Sequence, residues 1–381
     1  MKIVVLGAGR VGAAIARDLA GDDAFDVRVA DRDPQRLALL EESFGLRGER
    51  VDFSLPSTVE RAAADADLVV SAVPGFLGHR TLRAVIEAGK DAVDIAFFAE
   101  DPFSLDGLAK AKGVTAIVDC GVAPGLSNLL VGHAVRQLDA AHRVEIYVGG
   151  LPADPKPPYE YRAVFSPIDV IEEYTRPARL VMNGRIETRP ALSEIEPIDL
   201  PGIGTLEAFN TDGLRTLMKT VDCPHMVEKT LRYPGHAEKV RLLRDTGLFS
   251  VEPVAIDGVE VRPIDVTTAL LFPLWRLDEG EGDVTVLRVL VDGAKGGEPI
   301  RRVYDLVDRY DERTGITSMA RTTGYTATMA ARLLASGKVD GQGVLAPESL
   351  AEDPSTVEFV LAGLRERGID VRETCVGPNL R

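Results

Sequence analysis

Three glycines and one acid near the amino terminus carry the spacing of dinucleotide chemistry. Gly7, Gly9 and Gly12 complete a GxGxxG pattern that follows the apolar, β-branched run IVVLG and opens the helically spaced AAIARDLA. Gly7 permits a tight turn, Gly9 lets a pyrophosphate approach the backbone, and Gly12 lets helix and strand pack closely. The N–H groups that start the helix, at Arg10, Val11 and Gly12, then face the phosphate. Asp31 ends a second strand, FDVRVADRD, nineteen positions after Gly12. A carboxylate there accepts from a ribose 2′-OH and repels a 2′-phosphate, which favours NAD over NADP, although Arg32 beside it tempers the repulsion. Farther along, polar residues concentrate at turns and element ends. Tyr159, Glu160, Tyr161 and Arg162 lie in a proline-rich loop, Asn210, Thr211, Asp212 and Arg215 surround a glycine turn, and His236 opens a helix after Pro234-Gly235. Such clusters suit a site held by a scaffold.

The elements that must position these groups alternate. ADLVVSAVP (66–74) reads as a strand whose small terminal residues Ala72, Val73 and Pro74 suit the edge of a cofactor ribose and nicotinamide. TLRAVIEAG (81–89) is an amphipathic helix, DAVDIA (91–96) a strand ending near Asp94, and LDGLAKAKG (105–113) a helix leading into VTAIVDCG (114–121), which ends at Gly121. Repeated βα units predict a doubly wound parallel sheet with its ligand at the carboxyl ends of the strands. The alternation stops after residue 121, and mainly antiparallel sheet with helices follows. Asn183-Gly184 and Asp257-Gly258 mark hairpins, and VTVLRVLVDG pairs with RRVYDLVDRY. The small-residue helix 318–337 and a last helix and strand close the chain. The expected organisation is a Rossmann domain over 1–123, an α+β substrate and dimerisation domain over 124–317, and a C-terminal segment, 318–381, whose helix returns to the Rossmann domain.

Composition narrows the function. With 44 Lys+Arg against 59 Asp+Glu the net charge is −15, which argues against nucleic acid or an anionic membrane as partner. No apolar run reaches the ~20 residues of a membrane span. The run after Lys2 meets Arg10 without a cleavage site, so no signal peptide is expected. Three cysteines without CxxC spacing point to a reducing cytoplasm rather than a disulfide framework or zinc site.

Together MKIVVLGAGRVG, VVSAVP, VDCGVAPGLSNLL, YVGGLPADPKPPYEY, LEAFNTDGLRTL and KTLRYPGHAEKV resemble the saccharopine dehydrogenase-like oxidoreductases, and within them the L-lysine 6-dehydrogenase branch. The resemblance spans nearly the whole chain. It implies an α/β chain with a Rossmann domain, an α+β catalytic domain that also makes homodimer contacts, NAD as cofactor, and a side-chain amine as substrate.

Amine oxidation needs the nitrogen lone pair, and a lysine ε-amine with a pKa of about 10.4 arrives protonated. A nearby base or desolvation must remove that proton. Asp119, ending a strand in DCGVAPG, is the first choice for a carboxylate facing the cation; capping the turn or the next helix is the alternative. Cys120 reads as a small buried filler, and Asp94 as a structural acid at the cofactor edge. His236 sits where the helix dipole disfavours imidazolium, which suits a neutral hydrogen bonder or proton relay. Arg215, Arg232 and Lys239 are candidates for an α-carboxylate, the arginines through a bidentate fork. Tyr159 and Tyr161 line the pocket or pack in their loop. Without a second spaced His/Asp partner no metal site is expected. Two other readings stand beside lysine oxidation. One is a saccharopine or carboxynorspermidine type enzyme acting on a secondary amine; the other is a non-catalytic NAD-binding regulator.

Overall fold

Both faces of the apolar run at the amino terminus are covered. In β1 (Lys2–Leu6), Val4 and Leu6 enter one core cluster while Ile3 and Val5 enter another. A continuous apolar strand of this kind belongs inside a parallel sheet with helices on both sides. The computed structural model, which describes residues 1–278, 280–339 and 341–377, builds that sheet. Its other strands are β2 (Asp26–Asp31), β3 (Arg47–Arg50), β4 (Leu68–Ser71), β5 (Asp91–Asp94), β6 (Thr115–Ile117) and Gly343–Leu345. All are parallel, in the order Gly343–Leu345, β6, β5, β4, β1, β2, β3. The strand order reverses between β1 and β4, and the crevice at that switch point receives a dinucleotide in doubly wound sheets.

This sheet belongs to a first unit made of Met1–Asp139, Lys219–Val221 and Met319–Val371. Helix α1 (Arg10–Ala20) buries Ile15, Ala16 and Leu19 in the same cluster as Ala327, Ala330 and Ala331 of the late helix Ser318–Ala335. Small residues permit the close approach: a Cβ on Gly324 would lie 3.3 Å from Ile15 Cγ1. Two arginines, Arg332 and Arg367, bind the half-hidden carboxylate of Asp18 at 2.7 and 2.6 Å.

The second unit comprises Ala140–Met218, Asp222–Ser318 and the chain from Arg372. Its sheet centres on Ala140–Pro152, which pairs antiparallel with Asp283–Lys295 and parallel with His225–Arg232. Asp283–Lys295 and Glu298–Arg309 form the expected antiparallel pair. The two hairpin turns have the positive φ pairs that type I′ turns require, 51° and 73° at Asn183-Gly184 and 49° and 83° at Asp257-Gly258. Among the described residues the pairings of this sheet are mainly antiparallel, with a parallel pair at its centre. Among the described residues no helix is long and apolar enough to cross a membrane.

Candidate active site

The glycine turn of the first unit is built by close backbone approach. Gly7 has φ +109°, and a Cβ there would meet Ala72 O at 2.5 Å. A Cβ on Gly12 would lie 2.0 Å from Gly7 O, so α1 reaches the turn only without a side chain. Gly9 caps α1 in extended conformation, with open space around its Cα except for Arg36 Nη1 at 3.9 Å from an added Cβ. Arg10 is exposed and Val11 half-buried at the helix start. The first turn of α1 carries no acid, so the helix dipole there favours an anion. A cradle that a methyl group would fill fits a dinucleotide pyrophosphate.

At the end of β2 the Asp31 carboxylate accepts from Ala8 N at 2.6 Å and Asp33 N at 2.8 Å. These bonds tie the acid to the turn and fix its direction while leaving lone pairs on both oxygens. Arg32 is exposed beside it. The structure adds a second cation that the sequence reading passed over. Arg36, one turn into the helix Pro34–Phe44, sits near Gly9 with its Nε 3.4 Å from Asp33. The i, i+4 spacing of Arg32 and Arg36 was the available signal.

Ala72, Val73 and Pro74 follow β4, with Ala72 N donating to Leu6 O at 2.8 Å. The Ser71 hydroxyl just before them is fully buried and has no partner among the described residues. Asp94 ends β5 fully buried, and its Oδ2 accepts from Ala96 N at 3.1 Å. Asp119 follows β6 in the left-handed region, φ +51°, only 1% exposed. A buried acid held in that conformation is the kind of strain that the surrounding fold must enforce. Its neighbour Cys120 hangs on β5 through its N–H to Asp94 O at 2.9 Å. Burial, reinforced by Asp119 and Asp94, drives the Cys120 thiol well above its ordinary range, so it is no thiolate. Gly121 and Gly125 close the turn: Gly121 N donates to Pro124 O at 3.0 Å, and a Cβ on Gly125 would strike Gly121 O at 1.9 Å. Gly125 caps the helix Leu126–Val135, and Asn128 Oδ1 accepts its N–H at 3.3 Å.

In the second unit His236 opens the helix His236–Asp245 and is fully buried. Its Nδ1 lies 2.8 Å from Tyr159 O, which only accepts, so Nδ1 carries the proton. Nε2 then accepts from the Tyr174 hydroxyl at 2.9 Å, and that hydroxyl accepts from Arg232 Nε at 3.0 Å. Burial first, then Arg232 and Lys239, push the imidazole down to about 3, so it is neutral as the helix start suggested. Arg232 is 2% exposed and also donates to Glu173 Oε2 at 2.8 Å and Leu231 O at 2.9 Å, with its guanidinium 4.7 Å from the centre of the Tyr161 ring. Tyr161 is buried against Trp275 and His236, while Tyr159 is half-buried with its ring edge to face with Trp275. Lys239 forms an ion pair with Glu160. Arg215 is 5% exposed with φ +52°. Asp212 receives both Nε and Nη2 of Arg179 at 2.8 Å.

One titrating group went unnoticed in the sequence. Glu228 is buried, accepting from Thr211 Oγ1 at 2.7 Å and Gly213 N at 3.0 Å, and Gly213 has no room for a Cβ, which would lie 2.4 Å from Glu228 Cδ. Burial above all, with Glu173 and Asp212 adding to it, raises its carboxyl from 4.5 to about 8. The folded protein thus keeps a proton that the unfolded chain loses. The resulting stabilisation is complete below pH 4.5 and is lost as pH rises to 8, at about 1.4 kcal/mol per unit. Glu228→Gln holds the neutral form throughout. Urea unfolding at pH 5.5 and pH 8 should show the variant gaining a few kcal/mol on the parent at the higher pH. A gap that stays constant with pH would contradict a protonated Glu228.

Among the described residues no cluster of His, Cys, Asp or Glu is arranged to hold a metal. Compared with known proteins, residues 3–117 match the saccharopine dehydrogenase NADP binding domain and residues 121–369 the saccharopine dehydrogenase C-terminal domain. The chain is 24% identical to saccharopine dehydrogenase [NADP(+), L-glutamate-forming] of Saccharomyces cerevisiae, over 98% of this chain and 99% of that protein. It is 23% identical to carboxyaminopropylagmatine dehydrogenase of Synechocystis, covering 99% and 98% of the two chains. Carboxynorspermidine synthase of Vibrio cholerae is 24% identical, with 98% and 97% covered. The solved apo saccharopine dehydrogenase (L-Glu forming) from Saccharomyces cerevisiae superposes with a TM-score of 0.80 at 22% identity, over 98% of this chain and 99% of that one, and so shares the fold.

Proposed function

The chain belongs to the saccharopine dehydrogenase family, oxidoreductases acting on amine substrates with an NAD(P)-binding domain, and from that premise we propose that it oxidises the side-chain amine of L-lysine with NAD. The products are ammonia and the semialdehyde, which cyclises with its own α-amine. The observation that carries this choice is the commitment of cations in the second unit. Arg232 is held by Glu173, Lys239 by Glu160 and Lys229 by Glu196. A substrate with two or more carboxylates beside the reacting nitrogen would call on such groups, whereas lysine brings a single carboxylate.

The nicotinamide, when bound on the glycine cradle, supplies the hydride acceptor. The chain's own residues do the rest. Asp119 draws the substrate ammonium and takes its proton at a carboxylate oxygen, freeing the lone pair that becomes the C=N bond. Arg215, buried and drawn from the glycine turn that also holds Asp212, is the candidate for the α-carboxylate. His236, with both ring nitrogens engaged, holds the Tyr159 backbone and the Tyr174 hydroxyl in place. Asp31 selects the ribose 2′-OH, against the opposing pull of Arg32 and Arg36.

The relatives' names favour a second reading, a secondary amine of the saccharopine or carboxynorspermidine kind, and a single assay separates the two. Absorbance of reduced cofactor is followed with NAD or NADP against lysine, ornithine, saccharopine and carboxynorspermidine. Lysine with NAD should give signal and free ammonia; turnover of saccharopine alone would establish the second reading. Asp119→Asn should lower kcat by about 10²–10⁴ with NAD affinity unchanged. Asp31→Ala should weaken NAD and narrow its advantage over NADP, and unchanged affinities for both would remove Asp31 from the ribose.

A further inference from the structure

Glu348 is 3% exposed, a depth at which a glutamate is found only with its oxygens engaged. It lies in the short helix Pro347–Leu350, directly after the edge strand Gly343–Leu345. The helix Leu126–Val135 is seated against it so closely that only glycine fits: a Cβ on Gly132 would lie 2.5 Å from Glu348 O. Asn128, in the first turn of that helix and fully buried, donates from Nδ2 to Glu348 Oε2 at 3.3 Å. From the other side the Thr220 hydroxyl donates to Glu348 Oε1. Two donors facing one side chain suit a carboxylate, which accepts at both oxygens.

Asn128 passes the restraint on. Its Oδ1 accepts from Gly125 N at 3.3 Å and from Ser127 Oγ at 3.0 Å, and this decides which end of the amide faces Glu348. Gly125, at φ +136°, is closed against Gly121, whose carbonyl accepts from Leu126 N at 2.9 Å. Asp119 stands two residues before Gly121, and on its other side the chain hangs on β5 through Cys120 N and Asp94 O. Its left-handed φ of +51° persists only because the surroundings hold it, and the Gly121–Gly125 turn is one of the two anchors. All of these residues belong to the first unit.

We propose that Glu348 is a positioning residue for Asp119: through Asn128 it holds the Gly121–Gly125 turn in the arrangement that aims the Asp119 carboxylate. The inference rests on Asp119 as acceptor of the substrate proton. Packing alone would ask only for an apolar side chain between the two segments. The carboxylate adds a fixed direction for the Asn128 amide, and so a fixed place for Gly125 N. Misplacing a reacting group by about 1 Å costs up to about 100-fold in rate.

Steady-state kinetics with the amine that the cofactor assay identifies, together with thermal melting and NAD titration, tests this role. Glu348→Ala should lower kcat by about 10–100-fold with NAD affinity unchanged. In the Asp119→Asn background the same change should cost about 2-fold at most, because the group it positions has already lost its function. Asn128→Asp sets a second carboxylate against Glu348 and should also slow turnover. Adding Glu348→Gln to it restores an amide–carboxylate bond, reversed in direction, and should recover most of kcat. This exchange opens no cavity, so it tests the bond even where Glu348→Ala melts early. Full kcat in Glu348→Ala, losses that multiply in the Asp119→Asn background, or no recovery in the exchange would each overturn the positioning role and leave amine oxidation standing. Asp119→Asn at the parental rate would overturn both.

Discussion

Gly12→Ala should abolish dinucleotide binding and lower the stability of the first unit, whereas Gly9→Ala should abolish binding alone. The two positions lie three residues apart in one motif, yet they answer to different constraints. A methyl at Gly12 meets backbone, Gly7 O at 2.0 Å and Gly7 C at 2.9 Å, and neither atom yields without moving β1 or α1. Displacing a packed helix in this way costs about 1–3 kcal/mol and spoils the turn that aims the N–H groups. At Gly9 an added methyl reaches only the end of the Arg36 side chain, 3.9 Å away. The fold is indifferent, but the methyl occupies the place of the pyrophosphate. Titration of reduced-cofactor fluorescence together with thermal melting separates the cases. Both variants should lose affinity by about 100-fold or more, as expected when the close backbone approach to the phosphates is lost, and only Gly12→Ala should melt earlier. Retained affinity in Gly9→Ala would place the phosphates elsewhere.

Arg232→Ala should destabilise the second unit by about 3–5 kcal/mol, the cost of stripping one partner from a buried ion pair. The loss leaves Glu173, whose carboxyl burial already raises, without its cation, and removes the donor to Tyr174 Oη, which orients His236. Arg232→Met combined with Glu173→Gln removes both charges and should recover much of the stability, since no uncompensated charge stays buried. Urea unfolding reports both. The sequence alone suggested a different role, a fork for a substrate carboxylate. That role forecasts a raised KM with unchanged unfolding, so stability and kinetics measured on the same variant decide between them. A loss below about 1 kcal/mol in Arg232→Ala, the range of an exposed pair, would mean that the guanidinium is not buried against Glu173.

Much of this architecture is local and was therefore legible. IVVLGAGRVG contains within ten residues its strand, its turn and its helix start, and Gly12 answers to Gly7 O inside the same segment. Asn183-Gly184 and Asp257-Gly258 adopt the positive φ values that their residue types favour, so two hairpins follow from two dipeptides. The neutral state of His236 also followed from its place at a helix start, although its burial contributes more.

The tertiary structure decided whatever depends on residues far apart in the chain. The seventh parallel strand, Gly343–Leu345, is three residues long and takes its conformation from the edge of β6, more than two hundred positions earlier. The parallel pairing of His225–Arg232 with Ala140–Pro152 has no signature in either strand. Arg36 lies beside the glycine turn because a helix turned it toward Gly9, and Arg232 is buried in a bonded group because Glu173 and Tyr174 reach it across nearly sixty residues. Glu228 keeps its proton because Gly213 packs against it and excludes water. Periodicity and turn chemistry act through neighbours and can be read along a line. Desolvation and the pairing of buried charges depend on what the fold brings alongside, and those partners exist only once the chain has closed on itself.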